Sequence, residues 1–184
     1  MKTIFAFAFV LFAPMPSIAQ ETSAPPTAQV EAMKRLAYMP GVWEGEGWIQ
    51  RGPQRQTFRG REVVQAKLNG LALLVEGNFT GRPPGADRDI PVHTTLGVIS
   101  YDAQAHAYRF LSWLATGTSG SATLEVQDRG WRWDISSPQG LIRYSMSLTD
   151  SGEWLEVGDF IREGASPIRF FEMRLKKIGE TLSH

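Results

Sequence analysis

The sequence has no cysteine among its 184 residues, and that absence excludes several chemistries at once. A thiolate nucleophile, a zinc–cysteine centre, a disulfide framework and a lipid-modified cysteine anchor are all impossible. An excess of one charge is missing too: 19 Lys and Arg stand against 19 Asp and Glu, so no global field draws nucleic acid or cations. No apolar run reaches the ~20 residues that a membrane-spanning helix requires. Nucleotide motifs fail as well. A dinucleotide fingerprint needs a third glycine at a strand-to-helix turn, whereas Gly45-x-Gly47 is followed by Trp48, Ile49 and Gln50. The Gly-Lys-Ser/Thr of a phosphate loop is absent, and so is the Gly-x-Ser-x-Gly elbow of a hydrolase; Thr118, Ser119 and Ser121 beside Gly117 and Gly120 read as hairpin chemistry.

What is present begins with an export signature. Lys2, an apolar stretch from Ile4 to Ala13, Pro14, Pro16 and the small residues of Ser17-Ile18-Ala19 make residues 1–19 a secretory signal, with cleavage expected after Ala19. The mature protein is then expected in the periplasm or secreted, with no transmembrane segment. Residues 20–26 are a polar, proline-rich linker. Over 27–39, Val30, Met33, Leu36 and Ala37 recur at helical spacing behind Thr27 as N-cap, and Pro40-Gly41 ends the pattern.

From residue 40 to 178 the periodicity changes. Segments rich in Val, Ile, Thr and aromatic residues alternate with turn clusters every ~8–12 residues, the pattern of an all-β barrel or sandwich. Ten strands are expected, at 41–50, 55–68, 71–79, 92–101, 107–115, 120–127, 130–136, 141–149, 153–161 and 167–177. Asn69-Gly70, Arg129-Gly130 and Ser151-Gly152 make short hairpin links, and 81–91 is the one long connection. Alternation puts Phe58, Val64, Ala66 and Leu68 on one face of the second strand, and Glu62 with them. Trp131, Trp133 and Ile135 share a face of the seventh. A meander of hairpins without a long crossover favours one closed, antiparallel up-and-down barrel of about ten strands, capped by the short N-terminal helix and followed by a tail at 179–184. On the first strand Trp43, Gly45, Gly47 and Ile49 share a face, which seats an indole at the barrel base and leaves room above it.

Gly41-Val42-Trp43, after a short helix, resembles the G-x-W signature that opens lipocalin-like (calycin) barrels. The longer "GVWEGEG" is similar to the start of nitrobindin-type barrels and of a related, uncharacterised bacterial family of lipocalin-like domains. "LNGLALLVEG" and "LGVISYDAQAHAYRFLSW", with Tyr101-Asp102 before a tight turn and Tyr108 after it, resemble that uncharacterised family too. The resemblance covers most of 36–177 and implies that a last-strand arginine, Arg169 or Arg174, packs on Trp43. Nitrobindin holds haem through a histidine near its C-terminal strand, where "SPIRFFEMRLKKI" has none. His93 matches a different, mid-barrel histidine of those proteins, His106 falls in a turn and His184 is terminal, so no haem or other cofactor is expected.

The candidate sites follow from the inward positions. Trp43, Phe58, Glu62, Val64, His93, Trp131, Trp133 and Arg169 are expected to line a lumen that takes a small, largely apolar ligand. Two alternatives stand beside that reading. Glu62 and His93 would serve as the acid/base pair of an enzyme using the same cavity, or the chain would be an envelope interaction module with a packed core. For Glu62 itself the plainer reading is an ion pair with an interior arginine, Arg143 or Arg169. No metal site is expected, since Asp87-x-Asp89 lacks the further oxygen ligands of a calcium loop. No nucleic-acid partner is expected either: Arg51, Arg55, Arg59 and Arg61 surround Phe58 without a paired aromatic platform.

Overall fold

A computed structural model describes residues 26–181. The secretory signal at 1–19, nearly all of the 20–26 linker and the last residues of the tail, with His184, lie outside the described residues. Among the described residues the chain forms one helix, α1 (Thr27–Lys34), a short 3-10 turn (Leu68–Gly70) and ten strands. The strands are β1 (Gly41–Arg51), β2 (Gln54–Lys67), β3 (Ala72–Gly81), β4 (Ile90–Asp102), β5 (Ala107–Leu114), β6 (Ser119–Gln127), β7 (Gly130–Ser137), β8 (Gly140–Leu148), β9 (Trp154–Ile161) and β10 (Ile168–Gly179). Each strand pairs antiparallel with its sequence neighbours, and β1 also pairs with β10, which closes the barrel. Every expected strand is present.

Closure follows from the alternation. Each strand turns one row of side chains inward, and those rows meet as a core at one end of the barrel: Trp43, Val64, Leu73, Ile99, Leu124, Trp131, Met146, Trp154, Met173 and Leu175. The chain before β1 seals that end. Met33 lies on α1, but the helix stops at Lys34 and its bonding tightens, with Leu36 N–H donating to Met33 O at 3.0 Å and Met39 N–H to Leu36 O at 3.0 Å. A three-residue spacing therefore carries Met33, Leu36 and Met39 onto the barrel, where a continued helix would have carried Ala37. Ala37 is exposed. The expected cap is corrected as well: Pro26 precedes the first turn, Thr27 is already helical, and no side chain caps it.

Trp43 closes the base. It is 1% exposed, and its indole N–H donates to Met39 O at 2.9 Å. Trp154 meets it edge-on at 5.7 Å between ring centroids, and Trp131 meets Trp154 the same way at 6.0 Å. The arginine expected on Trp43 is not there. Arg169 and Arg174 point outward to Asp159 and Glu172, and the β10 cation over the indole is the Lys177 ammonium, 5.8 Å from the ring centroid. A register shift between Val42 and Trp43 sets Trp43 opposite Lys177.

Two further expectations change. Leu68 leaves the inward face, because β2 ends at Lys67 and the chain reverses through left-handed backbone at Leu68 and Asn69. Its side chain is 71% exposed. The glycines above Trp43 do not leave open space: a Cβ at Gly47 would strike the Phe58 ring, and one at Gly60 the Phe79 ring. Small residues on β1 and β2 are the clearance for large ones across the pleat.

The wall is not uniform. Between β6 and β7 three residue pairs form among the described residues, Glu125 with Arg132, Val126 with Trp131 and Gln127 with Gly130, all near the closed base. Above them the two strands part.

The two N-terminal tryptophans test this arrangement. Trp43→Ala is expected to cost roughly 3–5 kcal/mol, while Trp48→Ala, on the outer face beneath the Arg55 guanidinium, should cost less than about 2. Urea unfolding of both variants decides it, and equal midpoints would refute the assignment of faces.

Candidate functional site: the lumen above the tryptophan floor

Above the three tryptophans the inward row becomes a belt of aromatic rings. Phe110 on β5 meets Trp133 on β7 at 5.6 Å, and Trp133 stacks on Tyr144 of β8 at 4.9 Å. Tyr144 meets Phe171 of β10 at 5.9 Å, Phe171 stacks on Phe58 of β2 at 5.8 Å, and Phe58 meets Phe79 of β3 at 5.5 Å. Such offset and edge-on pairs each add about 0.5–1.5 kcal/mol beyond burial. The belt crosses β9 at Gly158, which sits in register between Tyr144 and Phe171, and β1 at Gly47, in register with Phe58. A side chain at Gly158 would collide with Phe170 and Phe171.

The belt encloses a cavity of ≈ 370 Å³ that runs from Trp131 and Trp154 toward the end formed by Arg51, Arg82, Pro83 and Ile135. The lumen is therefore not packed solid. Among the expected lining residues, Phe58, Glu62, His93, Trp131 and Trp133 face it. Trp43 and Val64 lie beneath, in the packed base. Arg169 is outside, bonded to Asp159 through Nε at 2.6 Å, because a bulge between Arg169 and Phe171 changes the phase of β10 and turns it away from the lumen.

Two carboxyls stand in this apolar chamber. Glu62, opposite Trp43 and Gly77 in the register, is 8% exposed, and its Oε2 has no hydrogen-bond partner. Burial and then the neighbouring Glu156 push its pKa up to about 8. Glu156, on β9, lines the same cavity and accepts a hydrogen bond from the Trp154 indole at 3.1 Å. Burial raises its pKa to about 7, against the lowering effect of that bond. The interior arginine expected for Glu62 is absent: Arg143 is on the outer face, forked onto Asp134 at 2.7 and 2.8 Å, and Arg169 is committed as above.

His93 belongs to another part of the wall. It stands opposite Phe79 nearer the mouth, with its ring centroid 6.2 Å from that of Phe79, and much of its surface is accessible. The crowding of the rim and then the Arg51 guanidinium hold its pKa below the usual value. The register sets Glu62 beside Gly77 and His93 beside Phe79, so β3 lies between the two groups and they enter the cavity at different depths. Glu156, the true neighbour of Glu62, was not singled out from the sequence. Its signal was there, since Trp154, Glu156 and Gly158 alternate on one face of β9.

The outward groups found ordinary partners. Asp89 of the long loop takes Arg59 at 3.1 Å and Arg82 at 3.0 Å, and Asp102 accepts the backbone N–H groups of Gln104 and Ala105, which makes the Tyr101-Asp102 turn. Among the described residues no group of three His, Asp or Glu side chains is placed to hold a metal ion, and no helix is long and apolar enough to cross a membrane.

No protein-family model and no curated protein matches the sequence. Solved structures do match its shape. Rv2717c from M. tuberculosis superposes over 79% of this chain and 96% of its own with a TM-score of 0.53 at 13% identity. The chain has a lipocalin-like barrel fold. The S-type phycobiliprotein lyase CPES from Guillardia theta also matches, over 84% of this chain and 93% of its own, at 8% identity and a TM-score of 0.49. At 13% identity the likeness to Rv2717c speaks for the fold alone and not for a ligand.

Linkage gives the sign of the pH effect. Both carboxyls have folded pKa values above the ordinary 4.5, so the folded state binds more protons than the unfolded chain. Their contribution is most favourable below about 4.5 and is lost as pH rises toward about 8. Glu62→Gln is therefore expected to raise stability at pH 8 by roughly 1–3 kcal/mol and to flatten the fall between pH 5 and 8. Urea unfolding across that range checks it; a variant less stable than wild type at pH 8 would reveal a compensating partner for Glu62.

Proposed function

We propose that this lipocalin-like barrel is an exported protein that binds a small, largely apolar molecule in its lumen. The observation that carries the reading is the aromatic-belted cavity of ≈ 370 Å³ above a sealed base. About half of its wall is Phe, Trp, Val, Ile and Leu, and its polar residues include Glu62 and Glu156 in the deep part and Arg51, Arg82 and His93 toward the mouth, a mixture that suits a small ligand with an apolar body. Export rests on the sequence of residues 1–19.

An enzyme built on Glu62 and His93 is the weaker reading, because the two residues stand on β2 and β4 with β3 between them. A module working only through its outer surface does not account for an interior left unfilled, since voids in cores are destabilising.

Titration of the purified protein with N-phenyl-1-naphthylamine, a neutral aromatic probe, is expected to give saturable fluorescence enhancement. Ser112→Trp, which puts a ring into the cavity from β5, should abolish it while the variant still melts cooperatively. Absence of saturable binding by wild type, or equal binding by Ser112→Trp, would reject the lumen as the site. N-terminal sequencing of the exported protein should begin at Gln20. Recovery of Met1 would reject cleavage.

A further inference from the structure

The lumen holds two acids and, among the described residues that line its deep half, no base. Glu62 is held in a fixed place. A Cβ on Gly77 would lie 2.7 Å from Glu62 Oε1, 3.0 Å from Oε2 and 2.6 Å from Thr95 Oγ1, so the glycine clears the space in which the carboxyl sits. Oε2 is buried there without a partner. Glu156 lines the same space, oriented by the Trp154 indole. The groups packed around them are uncharged: Trp43 and Gly77 flank Glu62 in the register, and Met146 and Met173 flank Glu156. The remaining titratable group on that side, Tyr144, is held neutral by burial and by the field of Glu156, which push its hydroxyl up to about 12. The cations of the cavity wall, Arg51 and Arg82 with His93, belong to the mouth, and Arg82 is already bonded to Asp89.

Two acids that line one apolar chamber and feel each other's charge are costly in their ionised forms unless something positive or hydrogen-donating joins them. We propose that Glu62 and Glu156 are the receptor for the cationic amine end of an otherwise apolar ligand. The proposal deepens the lumen-binding reading and rests on it. An ammonium offers three donors, which suits the orphaned Glu62 Oε2 and the carboxyl of Glu156, while the aromatic belt takes the apolar body. The charges balance with one carboxylate per ammonium, so below pH 7 the mostly protonated pair must release about one proton as the amine binds. Affinity for the amine therefore rises from pH 6 to pH 8. A neutral head group feels no such change, and an anionic one is repelled from the floor.

Calorimetric titration of the purified mature protein with decylamine, decanol and decanoate separates these cases. Decylamine is expected to bind at least about ten-fold tighter than decanol at pH 8, the size of one charge-assisted hydrogen bond in affinity. It should weaken several-fold at pH 6 and release about one proton per molecule bound, read from buffers of different ionisation enthalpy. Glu62→Gln and Glu156→Gln, whose folding thermal melts verify, should each lower decylamine affinity about ten-fold or more and leave decanol within two-fold. Equal affinity for decylamine and decanol, or variants that hold the amine as wild type does, would overturn the amine receptor while leaving lumen binding intact. Failure of all three probes, together with N-phenyl-1-naphthylamine, would overturn the lumen reading and this inference with it.

Discussion

The hydrogen bond from the Trp43 indole to Met39 O, 2.9 Å long and buried, is the contact on which the two halves of the interior depend. It fastens the tightened turn after α1 across the barrel base, so that Leu36 and Met39 are fully enclosed. The same indole meets Trp154, whose own N–H reaches Glu156, and it stands opposite Glu62 in the register. One side chain thereby sets the floor beneath the cavity, beside Glu62 directly and linked to Glu156 through Trp154. Ten strands enclose more space than the inward side chains of one end can fill. The seal at the base concentrates the dry packing there and leaves the remaining volume as one chamber.

Much of this was legible in the sequence, and the reason is the period of a strand. Where alternation ran through a whole segment, as in Trp131, Trp133 and Ile135, the faces came out correctly and so did the closed barrel. Where the local backbone changed, the pattern misled. Leu68 continued the inward row on paper, but the chain had already turned at Lys67. Ala37 fitted a helix that gave way to tighter turns after Lys34. Arg169 looked like an interior base because a bulge between Arg169 and Phe171 hides the change of phase along β10. Glycine spacing marked the places of close approach without naming what approaches: only the structure puts Phe58 over Gly47 and Phe79 over Gly60. The carboxyl pair was half visible, Glu62 as an exception on a dry face, Glu156 overlooked in a strand whose neighbours Trp154 and Gly158 face the same way.

The contrast between inner and outer charges gives the site its character. Outside, three acids are answered across neighbouring strands, Asp134 by Arg143, Asp159 by Arg169 and Glu125 by Arg132, each held near water where an ion pair contributes little. These carboxylates lie at sheet positions facing a basic residue on the next strand. Inside, Glu62 and Glu156 have no such answer and sit where desolvation dominates. Buried acids of this kind cost stability, and a fold that keeps them on a rigid wall, one over a glycine and the other on an indole, holds them in a defined geometry without the flexible cation that would neutralise them.

Access to that chamber bears on the one uneven part of the wall. Nine of the ten strand contacts extend well along the barrel, but β6 and β7 are joined at the base only. The unjoined stretch flanks the cavity through Trp133 and Ile135, and Ile135 is exposed there. Had the weak seam lain at the base, opening it would have exposed the tryptophan cluster and cost most of the core. Set instead beside the chamber, it separates strands whose inward side chains border empty space. The barrel is thus firm where its stability resides and parted beside the chamber, and both properties follow from the same uneven filling of its interior.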